Sequence, residues 1–501
     1  LKYLMSALTK AVAIPSPKLP KGLSSRVLGH MNFLRRSAKQ HDVALTMGLY
    51  YHHLDFYKET KSNTVRLRFG NAPLVLSRDK NFYSQVLGAK AKDFNFPDNF
   101  KVLFSHFFPN SIFSVDYKEW HKIRKIITKA MNKTSYEPVV PSIVKSINYA
   151  LNTKTQEGDK EVILSNSMKS FDFISRVTFD AFHKLVYKWD PESLKPGSAG
   201  IKLQESCNLI SSAVGERYLF VVPFLWKLPT KKNKMYDAAA KYLRDFAEKF
   251  VIEQRELLKT NKEEILAMKQ RSLLQEMLVA SELEEEEAGR LNHDELIDQV
   301  ITLFFAAFDT TSNVLSFALN FLATNPEVQD KLRQEIWEAF PKGEEDILEG
   351  GIQAIEKLTY LKYVLEEVHR CRPLTTLSRT CIQDTEINGL QVKKGDMILI
   401  DNLGIGLNKD NWNNQEDLDQ FKPERWETYK PGSFEATMPF GFGARICPGK
   451  RLATYEIKCF LIASLLHHRM VQRVPGEKQE FTFMLGFSYT HGTGNVDFER
   501  I

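Results

Sequence analysis

The sequence has few cysteines, and none of them are spaced like a metal ribbon or a disulfide scaffold. Five cysteines occur in 501 residues, and no two are arranged as Cys-x-x-Cys. Since zinc ribbons and small disulfide-rich folds need cysteines in close pairs, we expect neither, and a reducing compartment suits the chain. The five are Cys207, Cys371, Cys381, Cys447 and Cys459.

Long apolar runs and an excess of one charge are also lacking. No stretch reaches the roughly 18 consecutive apolar residues of a membrane-spanning helix, so none is expected within this sequence. Lys and Arg number 68 against 62 Asp and Glu, an excess too small to indicate a nucleic-acid partner. Hydrophobic residues make up 43% and charged residues 26%. This balance is typical of a globular core and excludes a disordered or collagen-like chain.

No internal repeat or linker divides the chain. Residues 1–20 are apolar with two lysines and then three prolines, which fits either a frayed terminus or a hinge beside a lost membrane anchor. Residues 21–501 are predicted to form a single catalytic domain, mainly α with small β-sheets. The sequence further predicts a helix over 45–63, strands from Thr64, Pro73 and Asp396, helices almost throughout 120–334 with one running to Lys262, a solvated acidic loop over 281–290, and a last helix over about 448–468.

Two helix starts can be identified from local side chains. Asn292 with Glu295 three residues later is typical of a capping box, which would open a long helix through Phe317. Asn325 followed by Pro326 predicts a second start, since proline is tolerated at the first helical position.

Residues 440–449, with the sequence FGFGARICPG, are the most informative segment. Several glycines in so short a stretch predict tight turns or close backbone approach. Cys447 lies just before a predicted helix, where free N–H groups and the helix dipole favour a thiolate, and Arg445 adds a positive charge. Such a thiolate could act as a nucleophile or as a metal ligand.

The order F-x-x-G-x-R-x-C-x-G resembles the haem-binding loop of the cytochrome P-450 superfamily. The resemblance implies the fold of that family, a triangular helical prism around a buried haem b, with Cys447 as the axial thiolate ligand of the iron. It further implies that Arg445 pairs with a haem propionate and that Phe440 packs near the thiolate. Other residues implied to line the haem are Gly441, Gly443, Gly449 and Ala453. A thiolate ligand pushes electron density onto the iron and favours O–O cleavage.

The segment Glu367-Val-His-Arg370, followed by Pro373, is similar to the E-x-x-R motif of the same family. Residues three apart on a helix share a face, so Glu367 and Arg370 can pair. The resemblance supplies Arg425, within FKPERW, as the third member. Their implied role is structural, to hold the cysteine loop.

Residues 306–311, AAFDTT, resemble the oxygen-activation motif of the family, with Ala307 where glycine is commoner and Ala306 beside the haem. The resemblance implies that Thr310 hydrogen-bonds the oxygen substrate and that Asp309 relays protons from water. The alternative is structural, because threonine in a helix usually bonds the carbonyl four residues back.

Three further residues are implied to hold haem propionates. Trp120 and Arg124 are both donors and lie one helical turn apart, so they share a face. Arg379 falls where the family usually has another propionate-binding arginine. The alternatives are a core aromatic for Trp120 and an ordinary surface position for Arg379.

Two aromatic segments suggest an apolar substrate. Six phenylalanines precede Trp120, in a stretch that covers the distal pocket in the family, although several could instead fill the core; they are Phe94, Phe96, Phe100, Phe104, Phe107 and Phe108. The apolar run from Tyr218 to Trp226 is followed by Lys227, Lys231, Lys232 and Lys234. Aromatics beside lysines suit a membrane surface, whereas a buried loop is the alternative.

A basic surface would suit an acidic redox partner. The lysines beside Trp120 (Lys118, Lys122, Lys125 and Lys129) and the basic residues after Cys447 (Lys450, Arg451 and Lys458) lie on one haem face in the family. The expected partner is an NADPH-dependent diflavin reductase, with cytochrome b5 as a second donor and a ferredoxin as the open alternative. The sequence contains no FMN, FAD or Fe–S motif, so electrons from NADPH must arrive from outside.

The leading interpretation is therefore a haem-thiolate monooxygenase that uses O₂ on an apolar lipid, sterol-like or xenobiotic substrate. We expect it to be monomeric and to lie on the cytosolic face of the endoplasmic reticulum membrane. The runner-up is a haem-thiolate isomerase or dehydratase of lipid hydroperoxides that needs no reductase, and a haem-binding sensor is a third class. A sterol 14-demethylase is disfavoured, since those relatives usually carry His-Thr where this chain has Asp309-Thr310.

Overall fold

The computed structural model describes residues 16, 55–69, 72–157, 160–218, 223–282, 289–374, 377–429, 437–477, 482–484, 487–489 and 495–501. Several predictions fall wholly or partly outside these ranges. They concern residues 1–20 apart from residue 16, the first part of the helix predicted over 45–63, the centre of the apolar run before Trp226, the centre of the acidic loop over 281–290, and the start of the loop before Phe440. Residues 55–60 of the first predicted helix are helical.

The helices are numbered here in chain order. They are α1 (Lys80–Ser84), α2 (Asp98–Ser105), α3 (Tyr117–Lys133), α4 (Val139–Asn152), α5 (Ser170–Tyr187), α6 (Ala199–Tyr218), α7 (Pro223–Trp226), α8 (Lys231–Thr260), α9 (Lys262–Ala267), α10 (Leu273–Glu282), α11 (His293–Thr324), α12 (Pro326–Ala339), α13 (Glu344–Glu356), α14 (Thr359–Cys371), α15 (Asn402–Leu407), α16 (Arg425–Thr428) and α17 (Lys450–Leu465).

The strands are short. They are β1 (Thr64–Phe69), β2 (Ala72–Ser77), β3 (Phe94–Asn95), β4 (Lys154–Glu157), β5 (Lys160–Ile163), β6 (Leu377–Cys381), β7 (Thr385–Ile387), β8 (Leu390–Val392), β9 (Met397–Ile400), β10 (His468–Gln472), β11 (Thr482–Met484), β12 (Phe487–Tyr489) and β13 (Val496–Arg500). A mainly helical chain with small sheets was predicted, and this fold class is confirmed.

The chain divides into two compact units. The first draws its residues from Leu1–Asp98, Glu366–Cys447 and Phe481–His491. It contains a five-stranded sheet in the order β1-β2-β9-β6-β3, in which β2 and β9 are parallel and the other pairs antiparallel. Apolar side chains of β2, β6 and β9 pack with those of α1, including Phe82 and Tyr83, into one buried cluster. This cluster lies under the sheet that carries Arg379.

The second unit draws its residues from Asn99–Leu365, Pro448–Glu480 and Gly492–Ile501. Its central element is α11, which packs against α5, α8 and α17. The capping box predicted at its start is present: Asn292 Oδ1 accepts from the N–H of Glu295, and Glu295 Oε2 accepts from the N–H of Asn292, both at 2.9 Å. Local chemistry therefore fixes where this helix begins.

Of the described helices, α11 alone has the length and apolar composition that would let a helix cross a membrane. Most of its apolar window is buried inside the protein, at 83%. A central core helix passes the same test, so its hydrophobicity is explained by burial within the second unit.

Several local features differ from the predictions in detail. The β4–β5 hairpin interrupts the region predicted to be helical almost throughout. The long helix α8 ends at Thr260 rather than near Lys262. Helix α17 begins at Lys450 and ends at Leu465, inside the predicted bounds. Helix α12 does start at Pro326, but the Asn325 side chain does not cap it, because its Nδ2 donates back to the carbonyl of Phe321 at 2.8 Å.

Candidate active site

The cysteine loop of the first unit is closed by a backbone hydrogen bond across its ends. The N–H of Cys447 donates to the carbonyl of Phe440 at 2.8 Å, around a 3₁₀ turn over Gly443–Arg445. Gly441 and Gly443 have φ of +76° and +71°, which glycine adopts without strain. A Cβ at Gly443 would also collide with the carbonyl oxygen of Leu87. The glycines at 441 and 443 are therefore needed to form this loop.

Cys447 differs from the other cysteines in its exposure. All five are free thiols, and Cys447 is the one exposed member. Burial raises the pKa of the Cys371 thiol to about 12 and raises the pKa values of the Cys207, Cys381 and Cys459 thiols. These buried thiols are held neutral, so Cys447 is the cysteine placed to act as a thiolate ligand.

Two guanidinium groups face one aromatic ring in the same unit. The guanidinium carbons of Arg379 and Arg445 lie 5.0 Å and 4.6 Å from the ring centroid of Phe96. Arg379 extends from β6 and is only 7% exposed. Its burial, with the nearby charge of Arg445, lowers the pKa of Arg379 to about 9. A buried guanidinium and a half-buried one beside the same ring favour an anionic group next to them.

This donor set fits a haem. A thiol would supply the iron ligand, and the two guanidinium groups suit the two propionate carboxylates, because Arg pairs with carboxylates through strong charge-assisted hydrogen bonds. The burial of Arg379 argues against the alternative of an ordinary surface arginine. Phe96 was expected near the substrate, but its ring contacts both arginines. No sequence signal distinguishes that position.

The Glu367 carboxylate is the most heavily hydrogen-bonded acid of the first unit. Its Oε1 accepts from Arg370 Nη2 at 2.7 Å, Arg425 Nε at 2.8 Å and the N–H of Lys422 at 2.9 Å. Its Oε2 accepts from Arg370 Nε at 2.8 Å and Trp426 Nε1 at 3.0 Å. The structure thus brings Glu367, Arg370 and Arg425 together, and it adds Trp426, which the motif did not indicate.

The Arg370 guanidinium extends this network through the backbone. It is fully buried and donates to the carbonyls of Gly406, Leu418 and Gln420 at 2.7–3.0 Å. Beside it on α14, the ring of His369 makes an edge contact with Phe440, with centroids 5.7 Å apart. The last turn of α14 therefore contacts the segment that carries Cys447.

Helix α11 of the second unit is buried along most of its length, but some side chains near its middle are partly exposed. Ala306, Ala307 and Thr310 are partly exposed, while Phe308 and Asp309 are buried. Positions 306, 307 and 310 share a face, so the helix presents one open patch of small side chains. Thr310 Oγ1 donates to the carbonyl of Ala306 at 2.7 Å, the bond that the structural alternative expects.

Asp309 is 7% exposed, and its burial raises the pKa of its carboxyl to about 7. Asn313 Nδ2 lies 3.4 Å from Asp309 Oδ1, on the next turn of the helix. A carboxyl that titrates near neutrality can both hold and release a proton there, as a general acid or base requires. Asp309 is thus chemically suited to the role that the motif implies.

The other predicted cofactor residues lie on two helices of the second unit. Trp120 is buried on α3, and Arg124 follows one turn later and is partly exposed. On α17, Ala453 is partly exposed in the first turn, and Gly449 precedes the helix with φ of −84°. Any residue adopts that φ, so the backbone conformation does not itself demand glycine at position 449.

Residues 39–495, nearly the whole sequence, match the family described as cytochrome P450. The chain belongs to the cytochrome P450 family. It is 28% identical to cytochrome P450 4F11 of Homo sapiens over 357 residues, which cover 70% of this chain and 67% of that protein. It is 34% identical to putative cytochrome P450 CYP13A7 of Caenorhabditis elegans over 192 residues, covering 37% of this chain and 35% of that protein.

A third relative is cytochrome P450 3A16 of Mus musculus, 37% identical over 178 residues, which cover 35% of this chain and 34% of that protein. The chain thus matches about a third of the length of the nematode and mouse relatives. The predicted superfamily is confirmed, and the predicted enzyme class agrees with it.

The predicted basic surface is smaller than the sequence indicates. Lys458 is only 6% exposed on α17 and cannot belong to a surface. Lys122 Nζ forms an ion pair with Glu295 at 2.5 Å, so its charge is balanced at the start of α11. The exposed basic residues that remain are Lys118, Lys125, Lys129 and Arg451. Helical spacing alone does not reveal which lysines are covered by tertiary packing.

The aromatic segments divide between core and surface. Phe94, Phe100, Phe104 and Phe108 are at most 6% exposed and fill the cores of their units. By contrast, Phe224 is 68% exposed, and Leu225 and Leu228 are 45% and 47% exposed, beside exposed Lys227. The apolar run near Trp226 therefore presents hydrophobic side chains to the outside, whereas most of the phenylalanines before Trp120 do not.

The Glu367 network generates a stability prediction. Glu367→Ala should lower the free energy of unfolding by about 3–5 kcal/mol, because it leaves the buried Arg370 without its carboxylate and Arg425 with only Asp417. The measurement is denaturant unfolding of the purified variant. Asp419→Ala, which removes an exposed carboxylate from the same segment, is the control and should change stability by less than about 0.5 kcal/mol. Equal stability of Glu367→Ala and the control would show that the network is dispensable.

The raised pKa of Asp309 generates a pH prediction. Between about pH 4 and pH 7 the folded protein keeps the Asp309 proton while the unfolded chain loses it, so this group's contribution to stability falls as pH rises. Asp309→Asn removes this pH-dependent loss of stability, because an amide side chain does not titrate. Its advantage over wild type should grow through this window toward roughly 4 kcal/mol, because one pKa unit corresponds to about 1.4 kcal/mol.

Denaturant unfolding at several pH values measures the effect of Asp309→Asn. Exposed Asp294 near the start of the same helix provides the control, and Asp294→Asn should show no such growth with pH. A constant difference between Asp309→Asn and wild type from pH 4 to pH 8 would contradict a buried carboxyl that titrates near pH 7.

Proposed function

We propose that this chain is a haem-thiolate monooxygenase that inserts one oxygen atom of O₂ into an apolar substrate, with electrons from NADPH delivered by a separate reductase. The observation that carries the proposal concerns two adjacent residues of α11. Burial raises the pKa of Asp309 to about 7, and the next residue, Thr310, lies on the open face of the helix. A monooxygenase must deliver protons to oxygen at neutral pH, and this pair has the chemistry to do so.

The residues of the first unit support the cofactor part of the proposal. Cys447 provides the thiolate, and the loop glycines at 441 and 443 let the backbone turn closely around it. Arg379 and Arg445 neutralise the two propionates. When bound, a thiolate-ligated haem supplies the electron-rich iron that favours O–O cleavage. Trp120 and Arg124, which lie in the second unit, are further haem donors implied by the family resemblance alone.

The residues of α11 handle protons and space. Ala306 and Ala307 leave room on the open face because their side chains end at Cβ. The buried Asp309 carboxyl holds a proton at neutral pH and releases it without a large penalty. Thr310 can turn its hydroxyl from the Ala306 carbonyl to a bound oxygen or water, since a threonine hydroxyl rotates freely between acceptors.

The runner-up function is rearrangement of lipid hydroperoxides without a reductase. Such an enzyme needs no external protons, and the intact Asp309–Thr310 pair therefore favours the monooxygenase. A haem-based sensor is the third class and would consume no NADPH with any apolar compound. The two rivals are separated from the monooxygenase by whether NADPH is consumed or a hydroperoxide is rearranged.

The proposed partners follow from the exposed surfaces. Lys118, Lys125, Lys129 and Arg451 suit the acidic FMN domain of a diflavin reductase, with cytochrome b5 as an additional donor. Exposed Phe224, Leu225 and Leu228 beside lysines suit contact with a membrane. These features support a membrane surface as the site of action, which we propose to be the cytosolic face of the endoplasmic reticulum, with substrate taken from lipid.

Thr310→Ala tests the proton role. It removes the hydroxyl but little volume, so haem content and substrate affinity should be retained. Product formed per NADPH should fall by up to about tenfold. This is less than the ~10²–10⁴-fold typical of acid–base assistance, because water can replace a hydroxyl. Hydrogen peroxide release should rise in compensation. The measurement is product, peroxide and NADPH in one sample reconstituted with a diflavin reductase.

The control for Thr310→Ala is Thr324→Ala near the end of the same helix. Thr324 Oγ1 donates to the Asn320 carbonyl at 2.9 Å, the same bond that Thr310 makes to Ala306. Its loss should leave product per NADPH unchanged. If Thr310→Ala matches this control, Thr310 is only a helix residue. If wild type rearranges a hydroperoxide and consumes no NADPH, the runner-up is correct.

A further inference from the structure

Arg217, near the end of α6, lies among three aromatic side chains. Its guanidinium carbon is 5.0 Å from the ring centroid of Phe107, 5.1 Å from that of Trp226 and 5.4 Å from that of Tyr236. The rings come from the loop after α2, from α7 and from α8, all within the second unit. Arg217 itself is 6% exposed. We call these four side chains the Arg217 cage.

The guanidinium is only partly satisfied by hydrogen bonds. Nη2 donates to Asn233 Oδ1 at 3.0 Å. Nη1 is buried and has no hydrogen-bond partner among the residues that the structure describes. A buried charged donor without an acceptor is costly, so this position favours an incoming acceptor.

The nearest acidic side chains are occupied elsewhere. Glu216 accepts from Lys232 Nζ at 2.7 Å and from the Tyr236 hydroxyl at 3.0 Å. Asp237 lies 3.7 Å from His106 Nε2. Burial lowers the pKa of Arg217 by more than these distant charges raise it. The Arg217 guanidinium is therefore a cation that neither of these two carboxylates contacts.

The surroundings define the kind of anion that would fit. Aromatic walls offer nothing to the hydration shell of an inorganic ion, whereas a carboxylate on an apolar body can bond the guanidinium and keep its body in apolar contact. Phe224, Leu225 and Leu228, adjoining Trp226 in the chain, supply exposed apolar surface for that body. Lys227 and Lys231 add positive charge nearby.

We propose that the Arg217 cage binds the carboxylate of an amphipathic acid, such as a long-chain fatty acid, whose alkyl chain lies against the apolar surface at Phe224, Leu225 and Leu228. Phe107 is partly exposed, so its ring is the wall of the cage past which the carboxylate would reach the guanidinium. The proposal concerns binding and does not depend on the monooxygenase function.

Binding of dodecanoate and of dodecanol to the haem-loaded full chain tests the proposal, by titration calorimetry below the micellar concentration. Wild type should bind dodecanoate at least about tenfold more tightly than dodecanol, the size expected of one charge-assisted hydrogen bond. Arg217→Gln should abolish that preference. Lys241→Gln, which removes an exposed charge further along α8, should change it by less than about twofold.

Several outcomes would overturn the proposal. One is equal affinity of wild type for the acid and the alcohol, which decides the matter even if Arg217→Gln fails to fold. Another is a preference for the acid that persists in folded Arg217→Gln. A third is Arg217-dependent binding to vesicles of anionic lipid without any preference for dodecanoate, which would assign the cage to a lipid headgroup. None of these readouts requires turnover, so loss of the monooxygenase proposal would leave them unaffected.

Discussion

The buried carboxylate of Glu367 is the interaction on which the first unit depends. Five donors converge on its two oxygens, and three of them belong to two arginines that would be costly to bury alone. Arg370 extends the network to three backbone carbonyls. Arg425 and Trp426 belong to the segment that follows those carbonyls in the chain, and they bind the same carboxylate. His369, on the same helix turn, contacts Phe440. The Glu367 network therefore supports the cysteine loop, although its own residues take no part in the chemistry of that loop.

Charged residues that stabilise the fold differ from those proposed to bind or react in how their charges are balanced. Glu367 and Arg370 are matched within the protein, and such groups stabilise one arrangement. Asp309, Arg379 and Arg217 are buried with shifted pKa values, which is the condition in which a group exchanges a proton or attracts an opposite charge. These three candidate functional groups thus differ from Glu367 and Arg370, whose charges are matched.

Local features could be predicted from the sequence, and tertiary ones could not. The Asn292–Glu295 box and the Glu367–Arg370 pair depend on residues three apart in a helix, so spacing suffices to find them. The ring of Phe96 against Arg379 and Arg445, and the burial of Lys458, depend on how distant segments pack. No pattern within one segment distinguishes a lysine that packs inward from one that faces outward. The Arg217 cage was missed for the same reason, because its rings come from three separate elements.

The central claim is that Cys447, alone among five cysteines, is the thiolate ligand of a haem. The most direct measurement is the absorption spectrum of the reduced, CO-bound protein, in wild type, Cys447→Ser and Cys459→Ala. Wild type and Cys459→Ala should show the band that gives the cytochrome P450 family its name, and Cys447→Ser should lose it, since a serine hydroxyl is not a thiolate. Retention of that band by Cys447→Ser would contradict the account.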